Sequence, residues 1–119
     1  MKSPDPAPVV FDREAALTYT NQDHELYREV IGLFSEHWPA DLETIRSTTS
    51  AGDVAGLRFA AHRLKGQCAL VGGTEASACA LALEMIGDSG DLTGAMEKIE
   101  LLAAALGKLN VEIKGELNS

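Results

Sequence analysis

The sequence predicts an all-α domain, a four-helix antiparallel up-down bundle with a short extra helix at its N-terminal end. Three observations predict it. Apolar residues recur at the three-to-four spacing of an amphipathic helix along most of the chain, while β-branched runs of period two are absent. The helical stretches are separated by short Gly- and Asp-containing punctuation, and amphipathic helices with short connections pack most simply as antiparallel neighbours. The 119 residues carry no internal repeat and no shift of composition, which fits one domain around one core.

The elements follow in order. The first eight residues hold Pro4, Pro6 and Pro8 and no apolar run, so they read as a tail or linker rather than a secretory signal. Residues 1–10 are expected to form this tail and residues 11–117 the bundle. Phe11 to Tyr19 predicts a short helix with Asp12 as its cap. Asp23 to about Thr48 predicts a long one, capped by Asp23, whose main apolar face is Tyr27, Val30, Ile31, Phe34, Trp38, Leu42 and Ile45. Leu26 and Leu33 fall on another side and are expected beneath the short first helix. Pro39 removes one backbone donor but the periodicity continues past it, which predicts a kink and not an end.

Ala51-Gly52-Asp53 is a stop followed by a start, and the next helix is expected from Asp53 to about Val71. Gly72-Gly73-Thr74 closes it, with Thr74 placed to cap a fourth stretch from Glu75 to Ile86. Residues Gly87 to Asp91 read as another loop and cap. The last helix carries Leu92, Ala95 or Met96, Ile99, Leu102, Leu106, Leu109 and Ile113 on one face.

Composition narrows the function. The net charge of −8 argues against nucleic acid and anionic membrane surfaces, both of which attract a positive footprint. No apolar run is long enough to span a bilayer. Cys68 and Cys79 lie inside helical patterns and form no CxxC pair, so they are expected as reduced core thiols of a cytoplasmic protein. His24-Glu25-Leu26-Tyr27-Arg28 begins like a zinc-protease HExxH but places Arg28 where the second ligand belongs. His24, His37 and His62 fall on separate faces, so no metal site is expected. His37 is expected to be a packing or surface residue. No nucleotide-binding loop or kinase motif is present, so the chain is not expected to use ATP or to act as a kinase.

One segment stands apart. With about 100° per residue, Leu57, Ala61, Leu64, Cys68 and Val71 fall in a core band roughly 80° wide, and His62 lies about 140° from its centre. His62 therefore points away from the bundle. Its neighbours on that outer face are Ala55, Arg58, Lys65, Gly66, Ala69 and Gly73. An exposed face normally carries long charged side chains, yet this one is low. Gly66 sits mid-helix, where glycine costs about 1 kcal/mol relative to alanine. The pattern leaves an imidazole standing proud of a bare surface, with Lys65 and Arg58 beside it to neutralise a phosphate. An imidazole is a good nucleophile near neutral pH. Phosphoryl transfer needs positioning and charge neutralisation more than covalent machinery.

His62-Arg63-Leu64-Lys65-Gly66 followed by Gly72 resembles the signature of histidine-containing phosphotransfer (HPt) domains. Other segments resemble the same family in the same order. They are Phe11-Asp12-Arg13-Glu14, Leu33-Phe34 with Pro39, the turn Ala51-Gly52-Asp53, and Cys79 with Leu83-Glu84. The likeness covers roughly residues 11 to 113. Thr20-Asn21-Gln22-Asp23 replaces a commonly Gly-rich turn, and Gln67 and Cys68 stand where small residues are usual. The resemblance implies a histidine phosphotransfer protein of a multistep two-component phosphorelay. His62 would be the phosphoacceptor, Lys65 the residue that stabilises phosphate charge, and Gly66 the opening for a partner. Ala55, Arg58, Phe59, Gln67, Ala69 and Gly73 are expected to meet the partner. The implied partners are response-regulator receiver domains, a hybrid histidine kinase, or both. The chain itself is expected to be a monomer without a cofactor, Mg²⁺ being supplied by the receiver. The rival reading is a structural or interaction bundle whose His62 is never phosphorylated.

Overall fold

The computed structural model describes residues 9–119, so most of the expected tail lies outside the described residues. The described chain is five helices and no strand: α1 (Arg13–Tyr19), α2 (His24–Ser50), α3 (Val54–Leu70), α4 (Thr74–Ser89) and α5 (Ala95–Leu117). Helices α2 to α5 form the antiparallel up-down bundle. α2 packs on α3 and α5, and α4 packs on the same two. α1 packs on α2 and α3 and covers one end.

The core is the set of stripes that the periodicity marks. From α2 it takes Tyr27, Ile31, Phe34, Leu42 and Ile45, and from α3 it takes Leu57, Ala61, Leu64 and Cys68. α5 adds Ala95, Ile99, Leu102, Leu106, Leu109 and Ile113, all buried. Met96 is exposed, so Ala95 takes the inner position of that pair. α2 runs through Pro39 without ending, and Pro39 itself is exposed. Leu26 and Leu33 are exposed and do not lie under α1, which instead buries its own Ala16 and Leu17. Leu33 borders a groove between α2 and α3 of about 280 Å³, together with Val30, His37, Arg63, Gln67 and Leu70.

Three helix starts follow the expected chemistry. The carboxylates of Asp12, Asp23 and Asp53 accept from the backbone N–H groups of Ala15, Leu26 and Gly56. The start of α4 differs. Thr74 is its first residue, Gly73 occupies the cap position, and no side chain caps it. The Glu75 N–H donates instead to the Val9 carbonyl, so the N-terminal segment supplies the missing acceptor. Asp12 N–H donates to the Gly72 carbonyl nearby, and Gly72, at φ +74°, has no room for a side chain against Asp12.

The end of α4 also differs from the expected loop. Gly87 is helical and buried, and the helix stops three residues later at Gly90, which takes the left-handed conformation at φ +76°. Asp91 closes a local turn, accepting from Thr93 N–H and Thr93 Oγ1, and α5 starts only at Ala95 after Gly94. Cys68 is buried, and burial pushes its thiol up to about 12; Cys79 is half-buried and shifted the same way. Neither supplies a thiolate at neutral pH. No described helix is long and apolar enough to cross a membrane.

Candidate functional site

His62 lies at the middle of α3, opposite the buried Leu57, Ala61, Leu64 and Cys68. Its side chain is 66% exposed, as the offset from the core band requires. The ring is nevertheless held. His62 Nδ1 lies 2.8 Å from Glu84 Oε2, and Glu84 comes from α4. Glu84 Oε1 lies 2.7 Å from Lys65 Nζ, so one carboxylate bridges the histidine and the lysine. The Glu84 side chain is only 15% exposed. The Lys65 ammonium first, and the His62 ring second, hold its carboxyl below the usual carboxylate range.

The chemistry of the ring follows from that contact. An ionised carboxylate can only accept, so His62 Nδ1 carries the N–H and donates it. In the neutral ring the second nitrogen, Nε2, is then the one with the free lone pair. A carboxylate behind an imidazole also stabilises positive charge that develops on the ring when its other nitrogen attacks. The site thus presents an oriented nucleophilic nitrogen to solvent.

The surface around the ring is open and low. Ala55 and Phe59 are exposed on the same side of α3, Phe59 at 68%. A Cβ built on Gly66 meets nothing within 4 Å, so no contact inside the molecule asks for glycine there. Arg58 is exposed, with Nη1 3.7 Å from Asp88 Oδ1. Gln67 is half-buried and borders the α2–α3 groove. Ala69 is half-buried in a hollow between α1 and α4, beside Lys65, Tyr19 and Leu81. Gly73 does not belong to the outer face. It is buried against Leu109 and the Cys68 carbonyl at the start of α4, where a side chain would collide with both. The helical phase that placed it beside His62 stops applying once α3 ends at Leu70.

Sequence reasoning missed Glu84 as a site residue. It lies 22 positions away on another helix, and helix periodicity states which face a residue takes without stating which side chain of the next helix it meets. Its one signal was the Leu83-Glu84 pair noted in the family likeness. His24 and His37 are both exposed and take no part in the site. Among the described residues no group of three or more His, Cys, Asp or Glu side chains is placed to hold a metal ion.

Comparison with known proteins bears on the fold and the family. No curated protein sequence matches the chain closely enough to count as a relative. The crystal structure of histidine-containing phosphotransfer protein B (HptB) from Pseudomonas aeruginosa matches with a TM-score of 0.86 and 20% identity, over 94% of this chain and 97% of that one. The HPT domain of the Hpt sensor hybrid histidine kinase from Shewanella matches with a TM-score of 0.80 and 19% identity, over 92% of this chain and 94% of that one. At such identities these two show a shared fold. The family model for the Hpt domain matches residues 29–112, most of the chain and all of the site. The chain therefore belongs to the Hpt domain family, whose work is histidine phosphotransfer in phosphorelay signalling.

Proposed function

We propose that His62 is the phosphoacceptor of this domain and that Nε2 is the reacting nitrogen. The observation that carries the proposal is the Nδ1–Glu84 hydrogen bond of 2.8 Å on a ring that is 66% exposed. It leaves one lone pair, and that lone pair is reachable only from outside. A receiver domain bearing phospho-aspartate docks over α3. The His62 Nε2 lone pair attacks phosphorus in line, the Nε2–P bond forms, and the P–O bond to the aspartate breaks. The aspartate leaves as a carboxylate, and the Nδ1 proton stays on the ring against Glu84. The reverse steps deliver the group to a second receiver.

Lys65 sits one turn from His62 and turns toward the phosphoryl oxygens as their charge arrives. Gly66 keeps the surface low so that the receiver backbone comes close. Ala55, Arg58, Phe59, Gln67 and Ala69 form the rim that the receiver covers. Mg²⁺ belongs to the receiver, and this chain needs no cofactor and no ATP. The domain works as a single cytoplasmic chain, passing phosphate between receivers or from a hybrid kinase to a receiver, and is a carrier rather than a kinase.

The test is mass spectrometry after incubation with a receiver domain phosphorylated on its aspartate. A gain of one phosphate that is acid-labile, base-stable and absent from His62→Gln supports the proposal. A chain that takes no phosphate from any receiver offered, or takes it equally well without His62, is a structural bundle or uses another acceptor.

A further inference from the structure

The His62–Glu84–Lys65 bridge spans two helices, so it depends on how closely α4 lies against α3. Two close contacts between the helices flank the bridge, one on each side. Gly87 is one turn beyond Glu84 on α4, and Arg58 is one turn before His62 on α3. A Cβ placed on Gly87 would lie 2.8 Å from Arg58 Cβ, 2.9 Å from Arg58 Cα and 3.0 Å from Arg58 N. Two of these three atoms are backbone, which cannot swing aside. At the other side, one turn after His62, the Ser77 hydroxyl donates to the Lys65 carbonyl at 3.1 Å. Ser77 is two turns before Glu84 on α4.

We infer that Gly87 and Ser77 are positioning residues that seat α4 on α3 at the spacing which lets Glu84 grip His62. The inference rests on the reading of His62 as phosphoacceptor. Non-bonded carbon atoms settle at about 3.5–4.0 Å, so a side chain at Gly87 moves the two helices apart by roughly 0.5–1 Å at that crossing. The Nδ1–Oε2 bond starts at 2.8 Å, and such a displacement carries it beyond the range in which a hydrogen bond is well made. The other Glu84 oxygen lies 2.7 Å from Lys65 Nζ, also on α3, so the same displacement stretches both contacts. The ring then loses its fixed tautomer, and Nε2 carries the proton for part of the time. The glycine that reads in the sequence as a helix breaker is, on this account, the residue that sets the geometry of the nucleophile.

The test uses the full chain and a partner-free donor, inorganic phosphoramidate, so that docking does not enter. Its P–N bond breaks, ammonia leaves, and the phosphoryl group passes to the imidazole nitrogen. Labelling rates are read by mass spectrometry, and ring tautomers by ¹⁵N chemical shifts of His62. Loss of a hydrogen bond to a charged partner predicts that Glu84→Ala slows labelling by about thirtyfold. Gly87→Ala, which loosens the bond without removing it, should slow labelling by about fivefold and lower the Nδ1–H population, with helix content unchanged. In the Glu84→Ala background, Gly87→Ala should change nothing further, because residues acting through one contact are not additive. Ser77→Ala, which introduces no clash, should act in the same direction by about twofold and also vanish without Glu84. It decides the matter if Gly87→Ala fails to fold. Equal slowing with and without Glu84, or an unchanged tautomer population in the folded variants, overturns the inference and leaves His62 as acceptor. Labelling that survives His62→Gln overturns the acceptor reading itself, which the other variants do not test.

Discussion

Two glutamates each anchor a polar cluster in this bundle, and they do opposite things. Glu116, near the end of α5, accepts from Arg13 of α1 and from the Tyr27 hydroxyl of α2 at 2.8 Å. Arg28 donates to the Glu116 and Leu117 carbonyls at 3.0 and 2.6 Å, and the Arg13 guanidinium lies 5.5 Å from the centre of the Tyr27 ring. Every strong group there has a partner, and the result ties three helices at one end. Glu84 makes the same kind of contacts, to one cation and one ring, in the middle of the bundle. Its cluster ends on Nε2 of an exposed ring instead of on another protein atom. Both carboxyls are held below the usual range by a neighbouring cation. A perturbed carboxylate alone therefore does not mark a site; the two clusters differ in the ring nitrogen that one of them leaves open.

The comparison breaks most sharply at His62. His62→Gln should abolish phosphate acceptance from a receiver, while thermal unfolding stays within about 0.5 kcal/mol of the parent, because an exposed ring contributes little to the fold. Lys65→Ala should slow transfer by roughly tenfold without abolishing labelling, the size of one charge-assisted contact to phosphate. Equal loss in both variants, with folds intact, would mean that the lysine positions the phosphoryl group rather than screening it.

At the closed cluster the signs reverse. Glu116→Gln should destabilise the fold by about 1–2 kcal/mol, measured by urea unfolding, and leave labelling of His62 unchanged. The pH dependence gives a second reading. The folded-state pKa of Glu116 is lowered, first by the Arg13 contact and then by the Tyr27 hydroxyl. Its contribution is therefore full above the unfolded carboxylate range and is lost as pH falls through the lowered folded value. Glu116→Gln should flatten the acid limb of the stability curve; an unchanged limb would show that the clamp does not hold the helices together. The smallest effect is expected at Gly66. A side chain there meets open space, so Gly66→Gln should leave stability equal or slightly raised by better helix propensity, while weakening receiver docking. A sharp fall in thermal stability with unchanged transfer would make Gly66 a packing residue.

The sequence was legible wherever one helix decides the matter. Periodicity placed Leu57, Ala61, Leu64 and Cys68 inward and His62 outward, and Asp12, Asp23 and Asp53 marked three helix starts, because each statement involves residues within a turn or two. It was not legible wherever two helices decide. Glu84 meets His62 across the α3–α4 contact, Gly87 packs on Arg58 instead of ending a helix, and Val9 replaces Thr74 at the start of α4. Gly73 and Leu33 were misplaced too. A helical wheel continues past the end of a real helix, and it does not say where a seven-residue helix such as α1 will lie.

The chemistry of this bundle turns on a single nitrogen. The most direct measurement is ¹H–¹⁵N NMR of the histidine rings, before and after phosphorylation by a phosphorylated receiver. An Nδ1–H tautomer of His62 is expected before transfer and a phosphoryl group on His62 Nε2 after it, with the rings of His24 and His37 unchanged. A phosphoryl group on Nδ1, or on either of the other histidines, would contradict it.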